Sequence, residues 1–328
     1  MKKFLSKHIK KIVMFSFAYV YVVMILVSPT NYQVILPGGL TQLSTVIEID
    51  NYSIDDHFYS VHVLSREPIT IFQYYLLKNN EEVSITNLTN RDKDTSFIDS
   101  IKQGSISKEA SYQTAFIKAY SLANEVDDNI SISYQYNGLI IYDFPRRIDE
   151  LDIGDLIIAI DGISLTDLDF EDSKALAYKR EVTYTILDDN GKMFDYYYVY
   201  DESDVYFWFF PSYTIFDAYP SFDYEQLHLI GGSSGGLLQT LNIYVSLVNL
   251  NLKNLKIAGT GTIEMTGEVG IIGGIRQKIL TANDHNVDVF FIPEAHLSDI
   301  EDMMYDFDLI PVKTLDEAVE WLYENLVE

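Results

Sequence analysis

The residues of this chain best placed to do chemistry are a serine in one glycine-rich turn and a lysine in a later one. The first turn reads Gly231-Gly232-Ser233-Ser234-Gly235-Gly236-Leu237, and the second Gly270-Ile271-Ile272-Gly273-Gly274-Ile275-Arg276-Gln277-Lys278. A serine hydroxyl is a weak nucleophile without a base, and a lysine acts as that base only when its pKa is lowered. Burial against apolar groups and the positive end of a helix both lower it. Lys278 stands near the start of a helix predicted over Arg276–Asp284, where both influences operate. Together the two turns outline a Ser–Lys hydrolase. Taken singly, a glycine turn before a helix fits an anion-binding loop as well, and a lysine on a helix is normally solvated.

The elements that must position this pair follow from the spacing of apolar residues. Leu227–Ile230 reads as a strand. Leu237–Leu250 reads as an amphipathic helix with Leu237, Leu238, Leu241, Tyr244, Val245 and Val248 on one face. The glycines between them permit a tight turn that exposes the Ser234 hydroxyl at a helix N-terminus, where backbone N–H groups around Gly232, Ser233 and Gly235 can hold an oxyanion. A Ser–His–Asp alternative can be drawn with His228 and Asp223, but triads are defined by geometry, not by nearness in sequence. The remaining histidines (His8, His57, His62, His285, His296) lack metal-site spacing such as H-E-x-x-H, and there is no cysteine. No metal and no other cofactor is expected. The chain has no G-x-x-x-x-G-K-[ST] phosphate loop, so no ATPase is built into it.

Over 328 residues the formal charge is -26, from 49 acidic and 23 basic residues, which argues against nucleic acid as a partner. The charge is uneven: residues 1–11 hold five lysines and no acid. Behind them Ile12–Ser28 is an uncharged, mostly apolar run. Lysines before it and acid-rich sequence after it predict a transmembrane signal anchor over 12–28, a cytoplasmic N-terminus (1–11), and a single-pass membrane protein with its catalytic part outside. A cleaved signal peptide is the competing reading, but no small-x-small site precedes Pro29.

Residues 29–128 read as a β-rich region with a helix: strands at Tyr32–Leu36, Leu43–Asp50, Tyr59–Leu64 and Glu82–Ile85, then a helix over Ser107–Asn124. Residues 129–203 run from a glycine-led strand (Gly138–Tyr142) through Leu151–Gly162 to a short helix (Glu171–Arg180) and two strands (Val182–Leu187, Met193–Tyr200). The aromatic run Asp195–Tyr213 fits two core strands joined by a turn at Asp201–Asp204. The expected fold class is α+β, with the unit over 204–328 reading as α/β.

Two resemblances carry this further. The pattern L-x-x-G-D-x-I-x-x-I-D-G at Leu151–Gly162 resembles the PDZ family, in which a peptide adds as a strand beside the glycine-led segment; here that is Asn137, Gly138, Leu139, Ile140 and Ile141. Residues 204–328 resemble the proteolytic domain of the Lon family, through G-x-S-x-G at Gly232–Gly236, A-G-T-G-T-I at Ala258–Ile263, G-x-I-G-G-I-x-x-K at Gly270–Lys278 and F-F-I-P at Phe290–Pro293. The whole chain looks like the membrane-anchored PDZ–Lon proteases of Gram-positive bacteria (the YlbL/SepM-like group). The resemblance implies Ser234 as nucleophile, Lys278 as general base and Thr260 as a residue that holds the lysine. It implies an ATP-independent serine endopeptidase acting on exported peptides or unfolded protein, with PDZ-assisted positioning, and it allows a homo-oligomer, since Lon-type domains often form rings. The chain departs from the usual G-P-S-A-G at Ser233 and Gly235, although register with Gly236 marks Ser234 as the active hydroxyl. A catalytically inactive surface module that captures peptides with the same two folds is the alternative. A third reading, a cytosolic component of an ATP-dependent protease, requires residues 1–30 not to be an anchor.

Overall fold

The computed structural model describes residues 2–145, 148, 150–200, 207–225 and 231–327. The expected strand Leu227–Ile230, the turn Asp201–Asp204 and His228 lie outside them. The chain begins with helix α1 (Lys2–Val27), followed by strands β1 (Tyr32–Gln42), β2 (Ile47–Ile49) and β3 (Phe58–Arg66). Helix α2 (Ile71–Leu77), strand β4 (Ser84–Asn87) and the short helix α3 (Asn90–Asp94) lead into the long helix α4 (Phe97–Asn124). That helix starts ten residues before its predicted start at Ser107, because Ser96 and Asp99 close a reciprocal capping box at its N-terminus.

The middle of the chain is β5 (Ser131–Asp143), β6 (Leu156–Ile160), β7 (Ile163–Ser164), α5 (Phe170–Ala177), β8 (Glu181–Leu187), β9 (Met193–Val199), β10 (Trp208–Tyr219) and β11 (Phe222–Tyr224). The last part holds α6 (Gly236–Leu247), β12 (Ile257–Gly259), β13 (Thr262–Ile263), β14 (Val269–Gly270), α7 (Ile275–Asp284), β15 (Val289–Pro293), β16 (Asp308–Val312) and α8 (Leu315–Asn325). The architecture is a mixed α+β fold.

Two sheets organise it. The first has the order β16-β15-β12-β3-β1-β4. Its β12, β15 and β16 run parallel, and β12 and β15 are buried along their whole length, as strands covered on both faces must be. Strands β3, β1 and β4 extend the same sheet, with β3 parallel to β12 and antiparallel to β1. Residues 32–87 therefore share one hydrogen-bonded sheet with residues 257–312. The second sheet, β10-β5-β6-β8-β9, is antiparallel and closes over the aromatic core of Tyr184, Tyr198, Tyr200, Phe207 and Phe209.

Helix α4 joins the two. Ala115, Phe116, Ala119, Tyr120 and Ala123 belong to the core shared with α6 and α8, whereas Ile117 belongs to the core of the second sheet. Alanines at every fourth position give a smooth stripe against which α6 can approach closely. Helix α7 covers the opposite face of the first sheet with Ile275, Ile279 and Ala282.

The N-terminus departs from expectation. Among the described residues, no helix is long and apolar enough to cross a membrane. This overturns the transmembrane anchor over 12–28, and with it the single-pass membrane topology. The physical reason is length and composition. Seventeen residues span about 25 Å against a hydrocarbon core of about 30 Å. The run also contains Ser16, Tyr19 and Tyr21, and its helix continues backwards through the five lysines. Instead α1 packs beside α2.

If the α4–α6 seam is as tight as its alanines imply, Ala115→Leu overpacks it. The expected loss is about 1–3 kcal/mol, read as a lower urea midpoint at unchanged m-value.

Candidate active site

Ser234, Thr260 and Lys278 come from three separate elements and meet at the C-terminal end of the parallel strand β12. Ser234 lies in the turn that enters α6, Thr260 directly follows β12, and Lys278 sits one turn into α7 behind its cap Gly274. The Lys278 Nζ lies 2.7 Å from the Ser234 Oγ and 2.9 Å from the Thr260 Oγ1. Lys278 is 2% exposed and Thr260 is fully buried.

Hydrogen-bond direction gives this trio a definite sense. The Thr260 hydroxyl donates to the Ser234 carbonyl oxygen at 3.0 Å, so its oxygen must accept from Lys278. One amine N–H is thereby committed to Thr260. In the neutral amine this leaves the nitrogen lone pair free to accept from the Ser234 hydroxyl, 2.7 Å away. Burial supplies the neutral form: it pushes the Lys278 pKa down to about 7.

The turn that carries Ser234 is clamped from two directions. The Gly261 N–H donates to the Ser234 carbonyl at 2.8 Å, and the Leu237 N–H donates to the Gly261 carbonyl at 3.1 Å. On the other side, Gly231 packs against Gly104 of α4 so closely that a Cβ at 231 would stand 2.8 Å from the Gly104 Cα. Gly232 takes a φ of +99° and donates its N–H to the Gly104 carbonyl at 3.2 Å. Gly232 therefore supports the turn, but its amide is already engaged and is not free for an oxyanion. The amides of Ser233, Ser234 and Gly235, at the head of α6, make none of the backbone hydrogen bonds seen among the described residues.

The two adjacent serines face different spaces. Ser234 lines a cleft of about 870 Å³ together with Lys278, whereas Ser233 lines a separate groove behind the turn. The Ser233 carbonyl accepts from the Gly236 N–H and the Ser111 Oγ. The glycine at 235 also has a local reason, since a Cβ there would come 2.8 Å from the Ser60 Oγ.

The expected peptide-binding strand is not available. Residues Gly138, Leu139, Ile140 and Ile141 pair with β10 on one side, through Ser212, Pro211, Phe210 and Phe209. Leu139 and Ile140 pair with β6 on the other. The Asn137 Nδ2 bonds to Ser212 and Thr214 of the same β10. Strand addition beside Asn137–Ile141 has no free edge, and none of these five residues lines the cleft around Ser234.

Several site residues carried no signal in the sequence. Gly104, Ser111, Ser60 and His62 approach the turn or the cleft from far away in the chain, and nothing local marks them. The His62 Nδ1 is buried without a hydrogen-bond partner, and burial, then His285 and Lys278, lower its pKa. Asp223, the acid of the imagined triad, accepts from the Tyr224 N–H on β11. Asp55, Asp56 and His57 bring their ligand atoms within 4.8 Å of one another, and the His57 Nδ1 bonds to Asp55 at 3.0 Å.

If Lys278 is the base, Ser234 reactivity rises with pH as the amine loses its proton. The rate of labelling by a serine-directed acylating probe should be half-maximal near the Lys278 pKa of about 7 and level above it. A rate independent of pH across that range contradicts the assignment.

Comparison with known proteins agrees with this geometry. Residues 230–325 match the model of the Lon protease (S16) C-terminal proteolytic domain. The archaeal Lon protease of Methanocaldococcus jannaschii is 35% identical over 95 residues, 29% of this chain and 14% of that protein. The Lon proteases of Endomicrobium trichonymphae (31% over 101 residues) and Trichlorobacter lovleyi (35% over 99 residues) cover 30% and 29% of this chain, and 12% of each relative. The chain thus spans at most 14% of the length of these relatives. Over residues 230–325, this chain is similar to the proteolytic domain of the Lon (S16) serine peptidases.

Proposed function

We propose that this chain is an ATP-independent serine endopeptidase that cuts extended or locally unfolded polypeptide. The observation that carries the reading is the 2.7 Å contact between the buried Lys278 Nζ and the Ser234 Oγ. Neutral Lys278 takes the hydroxyl proton as the Ser234 Oγ bonds to the scissile carbonyl carbon. The Ser234 and Gly235 amides hold the oxyanion. As the C–N bond breaks, Lys278 returns the proton to the leaving amine and an acyl-enzyme remains for water to hydrolyse. Thr260 is a positioning residue that acts through Lys278.

The cleft favours an extended chain as substrate. The Ile257 N–H donates to the His57 carbonyl, so the backbone groups of Tyr59, Val61, Val63 and Ser65 face the same way, towards β12. The pairing with β12 stops at Gly259 opposite Ser60. From Val61 onward that edge of β3 faces the cleft, which continues into a second cavity of about 1010 Å³ past Glu67, Asp92 and Lys108. An edge of this kind, without a strand partner among the described residues, accepts a polypeptide by strand addition.

Tyr142 and Asp143 of β5 and Trp208 of β10 form part of the same cleft wall. Arg91 of α3 pairs with Asp143 and lies 3.9 Å from the centre of the Trp208 ring. We infer that the second sheet, the PDZ-like unit, helps to position substrate as a wall of this cleft. We also infer that the proteolytic unit includes β1, β3, β4 and α4 as well as residues 204–328.

The test is cleavage of a quenched, unfolded polypeptide without nucleotide, alongside acyl-probe labelling. Ser234→Ala and Lys278→Ala should each reduce cleavage by at least about 10³-fold while the fold persists. Thr260→Val should lower it by about 10–100-fold, the worth of one hydrogen bond to an ionisable group. A folded chain that is neither labelled nor able to cut would reject the reading and leave a peptide-binding module.

A further inference from the structure

Behind the catalytic turn lies a groove of about 390 Å³ that shares no lining residue with the cleft around Ser234. Its apolar base comes from Phe209, Phe210 and Tyr213 of β10, with Ile263 and Met265 from the segment that follows β12. Its charged groups are Asp169, Glu171, Glu264 and Lys174. Lys174 is the one cation among the described lining residues, and its Nζ lies 2.9 Å from the Glu171 Oε1 and above the Phe170 ring. Three carboxylates against one lysine leave the rim net acidic beside aromatic and aliphatic surface, and the Asp169 carboxylate also accepts from the Asp172 N–H at the start of α5. The Glu264 carboxyl is raised in pKa by burial and by Glu171, against an opposing effect of Lys174.

An apolar base with an acidic rim selects a cation that carries apolar bulk, since a ring face and a carboxylate both attract it. The shape favours a peptide over a small amine. Among the described residues strand β10 is the terminal strand of its sheet and its outer edge has no strand partner, and Pro211 there is typical of an edge strand. The chain's overall charge of -26 reinforces the preference for a basic ligand.

We propose that this groove is a docking site for an extended peptide segment that carries a lysine or arginine beside an apolar residue. The site takes over the recognition that β10 denies to Asn137–Ile141, and it is separate from the dyad. Ser233 lines it directly, and the Ser111 hydroxyl beside it is bonded to the Ser233 carbonyl, one residue before Ser234.

The proposal does not depend on peptidase activity, so the test uses the full chain with Ser234→Ala. The probe is a fluorescein-labelled pentapeptide with lysine between two phenylalanines, read by anisotropy against the same peptide with glutamate in place of lysine. The lysine peptide should bind saturably below about 1 mM, and the glutamate peptide about tenfold more weakly or not at all. Glu264→Lys, a rim change that removes no packing, should weaken the lysine peptide by about tenfold. Met265→Trp, which fills the groove, should abolish binding while near-ultraviolet circular dichroism reports an intact fold. Equal binding of the two peptides, no saturable binding, or binding that survives Glu264→Lys overturns the proposal.

Discussion

An amine kept dry is the constraint on which the rest of this structure depends. Lys278 can act on Ser234 only in its neutral form, and burial is what brings its pKa down to about 7. The cost of burying an amine is contained because its hydrogen-bonding capacity is used, by Thr260 on one side and Ser234 on the other. Thr260 in turn spends its own proton on the Ser234 carbonyl, so three side chains and one backbone group form a closed set.

That closed set explains why so much of the chain is recruited. Strand β12 must end at Gly259 to release Thr260, and β15 holds the next step, because the Thr260 N–H donates to the Phe291 carbonyl at 2.9 Å. Helix α7 must lie on one face of the sheet to bring Lys278 in, while α6 packs on the other with Ser234 at its head. Helix α4 presses Gly104 against Gly231 and so sets the position of the turn from outside. The strand edge that borders the cleft belongs to β3, a part of the chain nearly two hundred residues before β12.

Two expectations failed for the same kind of reason. The apolar run over 12–28 has the composition of a membrane segment, but its length, its polar residues and the lysines continuous with it do not make a spanning helix. The glycine-led strand at 138–141 has the local pattern of a peptide-accepting edge, but β10 fills that edge. In both cases a local pattern stated what a segment could do, and its surroundings decided otherwise.

By itself the sequence pointed to Ser234 and Lys278, with Thr260 added by resemblance, and it located α6 and α7 to within a few residues. Such features are local: glycine spacing shapes a turn, and apolar periodicity marks the buried face of an element. The structure alone decided that residues 32–87 complete the sheet of residues 257–312, that Gly104 and Ser111 brace the nucleophile turn, and that Gly232 spends its amide on α4. Periodicity says which face of an element is covered but not which element covers it. Desolvation of an amine and occupancy of a strand edge arise only where distant segments meet, so they became legible in the folded chain.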